Sequence, residues 1–225
     1  MKAVVSRVSL VLAVIQLTGT LGTQPVQAQA RNSKPDLADT SLISRGRTLQ
    51  AQTTTPPTPP HLRALDQEEV TAAVPLIEQT WEKQFEDYFK TNFSDESTTV
   101  KNIAKTLGKS AKQTGKKPAL IYMVPRPQQL ELILITPEGQ PIHKRVSAAK
   151  QDAIKSQLKE LTQAILHPVS RDTKRYLPYS QQLYQWTIAP LEADLQAQGI
   201  DTLIFCVGGG LRSIPMAALH DGKQF

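Results

Sequence analysis

The sequence predicts an α/β fold in its carboxyl-terminal half, a layered sheet with flanking helices that is preceded by helical segments and a disordered linker. Residues 118–124 (PALIYMV) form a continuous apolar run after the lysines at 116 and 117, as expected for a strand covered on both faces. Residues 202–207 (TLIFCV) form a second such run. Helical periodicity lies between the two, and this order favours a last strand parallel to an earlier one.

The amino terminus resembles a secretory signal peptide over residues 1–30. Two basic residues precede an apolar core at 8–17, and small residues suit cleavage after Ala28 or Ala30. We therefore expect an exported protein, periplasmic or extracellular. An uncleaved anchor is the alternative, but the core is shorter than the roughly 20 residues of a spanning helix, and Gln16 interrupts it.

A linker and a helical segment follow the amino terminus. Residues 31–65 are rich in Pro, Thr, Ser and Gln, which predicts a disordered linker. Residues 66–116 show helical spacing and predict two helices. The first should be stable from Pro75 onwards, because a proline breaks a helix interior, and the second should end at Gly115. The aromatic stripe of the first helix predicts a packing face; its members are Trp81, Phe85 and Phe89.

The charge distribution argues against nucleic-acid binding. The formal net charge is +6, but residues 66–96 are strongly acidic and residues 101–117 carry only basic charges. Neither block has interleaved aromatic residues that could stack on bases. The second helix presents an exposed basic stripe, Lys101, Lys105, Lys109 and Lys112, so polyanion binding through this helix stays open as an alternative.

A β-hairpin and two helices complete the pattern of residues 117–225. Residues 129–136 and 141–146 predict hairpin strands joined by the four-residue turn 137–140. Ser147 can cap the next helix, which should stop before Pro168. A further helix should be kinked by Pro190 and end at Gly199.

The single cysteine is predicted to be structural. Cys206 lies inside an apolar strand, where a free cysteine behaves as a small hydrophobe, and no basic residue flanks it closely enough to lower its pKa. A Cys206–His220 nucleophile and base pair is rejected, because the strand residue should point into a packed layer and the turn histidine into solvent. No third residue is evident to orient the histidine.

The glycine-rich segment 208–215 (GGGLRSIP) follows a strand, where phosphate-binding loops occur. It lacks the Lys-Ser or Lys-Thr ending of a Walker loop and the spaced glycines of a dinucleotide fingerprint. Three consecutive glycines are more simply a tight turn with positive φ angles. We therefore expect no cofactor.

The four histidines do not predict a metal site. His61, His143, His167 and His220 show no metal-ligand spacing such as i, i+4 on a helix. His61 belongs to the edge of the linker, His143 to an outer hairpin strand and His167 to a helix end. His220 is predicted to be a hydrogen-bonded surface residue of a His-Asp-Gly turn.

Three segments near the carboxyl terminus carry a family resemblance: residues 183–191 (LYQWTIAPL), 200–205 (IDTLIF) and 211–222 (LRSIPMAALHDG). Together they resemble the CHAT domain, a caspase-like family often found beside tetratricopeptide repeats in bacterial proteins. The preceding strands and the Pro-Glu-Gly turn also look like the start of that domain. The resemblance therefore covers residues 117–225 and is predicted to correspond to the amino-terminal half of the domain.

The resemblance implies a partial caspase-like layered sheet. Family members are similar in having a histidine–cysteine dyad for thiol proteolysis, but both dyad residues come later than the segment matched by residues 215–219. Cys206 and His220 occupy non-catalytic positions of the pattern, so no catalytic residue is assigned. Gly208 stands where the family commonly shows an acidic residue.

These observations predict an exported CHAT-domain protein that is truncated before the dyad and has no peptidase activity. A neighbour for strand 202–207 should come from sequence that is not in this chain, so a sheet edge should be exposed. The alternative is an interaction module whose edge pairs with a partner chain. The expected partner is a protein or the missing carboxyl-terminal half, with no nucleic acid, and with membrane contact only through an uncleaved signal peptide.

Overall fold

A four-stranded mixed sheet forms the centre of the computed structural model, which describes residues 57–92, 98–166 and 174–223. The strands are β1 (Pro118–Pro125), β2 (Leu130–Ile135), β3 (Ile142–Val146) and β4 (Thr202–Val207). Their order across the sheet is β3-β2-β1-β4. With helices flanking this sheet, the predicted α/β fold class is confirmed.

The strand pairing combines an antiparallel hairpin with a parallel edge. β1 runs antiparallel to β2, with Leu120 opposite Ile135, and β2 runs antiparallel to β3. β4 runs parallel to β1, with Met123 opposite Val207. The carboxyl ends of β1 and β4 therefore meet at one edge of the sheet, where α/β proteins usually place their functional groups.

Six α-helices flank the sheet in the described ranges. They are α1 (Pro60–Asp66), α2 (Val70–Phe89), α3 (Val100–Thr114), α4 (Gln151–Leu166), α5 (Leu177–Thr187) and α6 (Glu192–Ala197). Among the residues described, no helix combines the length and apolarity needed to cross a membrane.

The two faces of the sheet bury two separate apolar cores. Ala119, Ile121 and Met123 of β1 belong to the core shared with α4, α5 and α6. The alternate residues Tyr122 and Val124 belong to the core shared with α1, α2 and α3. Because side chains alternate along a strand, a continuous apolar run allows β1 to be covered on both faces. Each fully buried aliphatic side chain contributes about 1.5–3 kcal/mol.

Helix α1 corrects the predicted linker boundary, since residues 60–65 fall inside the range 31–65 but are helical. Pro60 opens the helix, where its missing N–H is not needed. Leu65 is fully buried. The prolines of this stretch were interpreted as a spacer, whereas the last of them begins a packed helix. Residues 31–56 lie outside the described residues.

Helix α2 begins earlier than predicted, at Val70 rather than near Pro75. Pro75 lacks the N–H that would bond to the Thr71 carbonyl, a loss of about 3 kcal/mol in a helix interior. Ala73, Val74 and Ile77 are fully buried around it. Burial of this first part of α2 offsets the missing hydrogen bond.

The helices after the hairpin also differ from the predicted boundaries. Helix α4 starts at Gln151, so Ser147 does not cap it; Ser147 lies in a turn that is closed by the Ala149 N–H and the Val146 carbonyl at 3.1 Å. Pro190 interrupts the predicted helix completely instead of kinking it. It lies in a 3-10 turn, Ala189–Leu191, that separates α5 from α6.

Strand β4 is less buried than its composition suggests. Its residues are half-buried, and the side chain of Ile204 is 42% exposed. Within the described residues, β4 pairs only with β1 and forms an edge of the sheet. An apolar run predicts a strand equally well at the centre or at the edge of a sheet.

Candidate functional site

The glycine turn after β4 lies against the end of β1. The Gly208 N–H donates to the Met123 carbonyl at 2.9 Å, and the Leu211 N–H closes the turn on the Gly208 carbonyl at 3.1 Å. Gly210 has a φ of 88°, a conformation that favours glycine. Of the positive φ angles expected for this segment, the structure places one at Gly210.

Cys206 lies two residues before Gly208, in register with Tyr122 of β1. It is half-buried and packs against the core shared with α2. Burial, together with the nearby Glu78 carboxylate, raises the pKa of the thiol to about 12. A thiol that is protonated at neutral pH is a poor nucleophile.

A buried hydrogen bond connects α2 with the strand beside Cys206. The Tyr122 hydroxyl donates to a Glu78 carboxylate oxygen at 2.5 Å, and the ring of Trp81 lies 5.9 Å from the Tyr122 ring. Burial and the Glu78 carboxylate raise the pKa of Tyr122 well above its usual range. The surroundings of Cys206 are thus aromatic and acidic, the reverse of a site that stabilises a thiolate.

His220 does not have the solvent-facing position that the sequence predicted. Its side chain is buried, and Nδ1 accepts a 2.7 Å hydrogen bond from the Gly222 N–H. The preceding 3-10 turn, Met216–Ala218, is held by the Ser180 hydroxyl, which donates to the Ala218 carbonyl. The composition of the His-Asp-Gly turn correctly predicts a local hydrogen bond to His220. It does not predict that the preceding turn packs against α5, because that packing depends on residues far away in the sequence.

Of the remaining described histidines, His61 is buried more deeply than predicted, whereas His143 lies on the outer hairpin strand β3, as predicted. His61 is a buried residue of α1, and its Nδ1 lies 3.3 Å from the Thr80 hydroxyl. Burial and then the Arg126 charge lower the pKa of His61. His143 contacts a carboxylate on β2, as described below. His167 lies outside the described residues.

A buried carboxylate on β2 organises a polar cluster that sequence reasoning missed. The side chain of Glu131 is fully buried, and it accepts hydrogen bonds from Arg126, Gln129 and His143 at 2.9, 2.7 and 2.8 Å. Burial alone would raise the pKa of Glu131, but these bonds outweigh it and lower the pKa to about 2. A single charge inside an apolar strand was the available signal, since a buried carboxylate requires partners.

The aromatic stripe of α2 is only partly a packing face. Trp81 contacts the core, but Phe85, Tyr88 and Phe89 are 40%, 79% and 59% exposed. The Arg212 guanidinium lies 4.5 Å above the Phe85 ring and connects this end of α2 to the segment after the glycine turn. The prediction was therefore right for Trp81 and wrong for the later members.

Among the described residues, no group of three or more His, Cys, Asp or Glu side chains could hold a metal ion. The residues at and after the carboxyl ends of β1 and β4 thus include a glycine turn, a half-buried thiol and a buried histidine. The class that the fold defines is an α/β layered sheet with flanking helices.

The family comparison agrees with the class. The CHAT domain model matches residues 177–225, which comprise α5, α6, β4 and the segment after the glycine turn. Residues 177–225 are therefore similar to the CHAT domain, the family that the resemblance predicted. The match does not extend to residues 117–176, so the correspondence to the amino-terminal half of the domain stays a prediction. A search of curated proteins finds no match to the chain.

Proposed function

We propose that residues 117–225 act as a non-catalytic part of a caspase-like module and that the 225-residue chain has no peptidase activity. The observation that supports this proposal most directly is the environment of Cys206. This residue is half-buried in β4, and burial raises the pKa of its thiol to about 12. The chain contains one cysteine. A thiol peptidase requires a thiolate and a base that can reach it.

Peptide cleavage assays test this proposal directly. The purified chain is incubated with a broad peptide library and compared with Cys206→Ala and with chain treated beforehand with iodoacetamide under unfolding conditions and refolded. No cysteine-dependent cleavage is expected. Cleavage by the unmodified chain that Cys206→Ala abolishes would overturn the proposal.

Export belongs to the same proposal, supported by the signal-like residues 1–30. In an export-competent bacterial host, the mature protein should be recovered outside the cytoplasm with its amino terminus near Ala28 or Ala30. Leu12→Arg, within the apolar core, should retain the full-length chain in the cytoplasm. The matched substitution Leu37→Arg, after the cleavage site, should leave export unchanged; equal export of both variants would contradict the proposal.

A second candidate function is pairing of the β4 edge with a partner strand. The observation that favours it is the composition of this edge, six residues of which only Thr202 is polar, with Ile204 42% exposed. Such an edge offers unpaired backbone groups and apolar side chains to another strand. The partner is expected to be a protein segment that adds a strand to the sheet.

Light scattering after size exclusion tests the pairing through self-association of the purified chain. Ile204→Lys should reduce association, because a charge at an edge opposes strand addition. Ile165→Lys on α4 is the matched control, since Ile165 is 37% exposed and lies away from the edge. A wild-type chain that is monomeric and melts in one sharp transition would count against this candidate.

The basic stripe of α3 supports a third candidate, polyanion binding. Its four lysines are exposed. Retention on heparin should then fall with salt and weaken in Lys101→Gln/Lys105→Gln, but not in the control Lys155→Gln/Lys159→Gln on α4. Retention that is absent or insensitive to salt would dispose of this candidate.

A further inference from the structure

We propose that helix α1 is a releasable strap, held across the end of β1 by a clasp that consists of Arg126 and Arg145. This inference is independent of the proposed function. It rests on three features that the structure brings together: a buried carboxylate that orients both arginines, acceptor groups at the end of α1 that match them, and a strained corner between α1 and α2.

Glu131 fixes the orientation of the clasp. Its Oε1 accepts from Arg126 Nη1 at 2.9 Å, and its Oε2 lies 3.5 Å from Arg145 Nε. Gln129 and His143 donate to the same carboxylate. Both arginines lie against a carboxylate that is inaccessible to solvent, so their remaining N–H groups project in fixed directions.

The carboxyl-terminal end of α1 supplies the acceptors. Asp66 bonds Arg126 through both carboxylate oxygens, at 2.6 and 3.2 Å. Arg145 Nη2 donates to the Leu65 carbonyl at 2.5 Å, and Arg145 Nη1 lies 3.3 Å from Glu68. The Leu65 carbonyl also accepts from the Glu68 N–H at 3.1 Å, so Arg145 adds a second, charged donor at the carboxyl end of the helix, where a cation is favourable. The clasp therefore holds α1 by backbone and side chains together.

Two further observations make α1 separable from the sheet. Glu68, at the corner between α1 and α2, has a φ of 61°, a left-handed conformation that side chains other than glycine rarely adopt. The carboxylates of Asp66, at the end of α1, and of Glu68, in the corner after it, are 50% and 77% exposed, whereas Arg126 and Arg145 are 17% and 35% exposed. Salt and solvent thus reach the strap side of the clasp while Glu131 stays buried.

The charges of Arg126, Arg145 and Glu131 favour the return of a released α1 to its place on the sheet. When α1 is lifted, two guanidinium charges face the single carboxylate of Glu131, which leaves a net positive site beside the strand end. Asp66 and Glu68 neutralise this excess when α1 is in place. Leu65 and Ala64 are buried in the core shared with α2 and α3, and this packing opposes the release of α1. The arginine contacts and the apolar packing therefore both hold the helix in place.

Hydrogen exchange on the full chain, followed by mass spectrometry, tests the proposal. Asp66→Asn/Glu68→Gln removes the strap carboxylates and keeps side-chain size. Exchange of amides in residues 60–69 should accelerate about fivefold or more, while β1 and β2 stay protected. Raising NaCl from about 0.05 M to about 1 M should accelerate the same amides in the wild-type chain but not further in the variant.

Asp152→Asn is the matched control, because it removes an exposed carboxylate on α4 that pairs with Lys155 at 3.5 Å. It should leave exchange of residues 60–69 unchanged. Unchanged protection in the strap variant would show that apolar packing alone holds α1. A parallel rise in exchange across α1, β1 and β2 would show that α1 does not open separately. Either result overturns the proposal.

Discussion

Gly208 lies so close to Pro125 that a Cβ atom at position 208 would meet the proline Cδ at 2.8 Å. The same Cβ would lie 3.3 Å from the Met123 carbonyl oxygen and from Trp81 Cζ2. The proline ring cannot move aside as a flexible side chain would. We therefore expect Gly208→Ala to lower the free energy of unfolding by about 1–3 kcal/mol, measured by urea denaturation.

Gly209→Ala is the matched control for this prediction, since no heavy atom lies within 4 Å of a Cβ at that position. It should change stability by less than about 0.5 kcal/mol. Equal effects of the two substitutions would show that the close approach of Gly208 to Pro125 is absent in solution.

Cys206 should react slowly with alkylating reagents. The thiol pKa of about 12 leaves little thiolate at pH 8. Iodoacetamide should modify the folded chain about 100-fold more slowly, or slower still, than the urea-unfolded chain. A rate for the folded chain that matches the unfolded rate would contradict this prediction.

The same pKa predicts a loss of stability in alkali. Because the folded-state value lies above the ordinary 9.0, the unfolded thiol loses its proton first as pH rises. The stabilising contribution is therefore complete below pH 9.0 and declines as pH rises from 9.0 towards about 12. Cys206→Ala should flatten the alkaline part of the unfolding free energy; identical pH profiles would contradict the assignment.

The sheet and most helices could be predicted because their signals are local. The apolar runs of β1 and β4 and the spacing of α3 are complete within short windows. Helix α1 could not, because its proline-rich start has the composition of a spacer, and its stability comes from burial of Leu65. The exposed edge at β4 was expected from the family resemblance and not from its apolar run, which does not encode strand pairing.

The candidate site could be predicted only where the residues next to a side chain in the sequence determine its environment. Cys206 was predicted to lie in an apolar strand, and the structure places it in β4, where burial raises the thiol pKa to about 12. The contacts of Arg126 and Arg145 with α1 were missed because Asp66 lies 60 positions from Arg126, and Leu65 lies 80 positions from Arg145. His220 was misplaced for a similar reason: its burial follows from packing of a turn, not from the turn's sequence.

The aromatic residues of α2 should contribute unequally to stability. Trp81 packs against Tyr122 and the glycine turn, so Trp81→Ala should cost about 3 kcal/mol or more. Phe89 is 59% exposed, and Phe89→Ser should change the free energy of unfolding by less than about 0.5 kcal/mol. Thermal or urea unfolding measures both, and a large loss in Phe89→Ser would show that another surface covers this residue.

Glu131 should make the fold sensitive to acid. Its folded-state pKa of about 2 lies below the ordinary value of 4.5, so the unfolded chain binds the proton first as pH falls. The contribution of Glu131 is complete above pH 4.5 and is lost as pH falls through about 2. A shift of this size corresponds to roughly 3 kcal/mol.

Urea unfolding of wild type and Glu131→Gln at several pH values checks this prediction. The stability difference should be largest near neutral pH and should shrink below pH 4.5. Glu138→Gln is the control, because Glu138 pairs with Lys117 at 2.5 Å but is 49% exposed, and exposed pairs contribute about 1 kcal/mol or less. A difference that stays constant down to about pH 2 would mean that Glu131 has the same pKa in the folded and unfolded chains, so that its partners do not stabilise its ionised form as the lowered pKa requires.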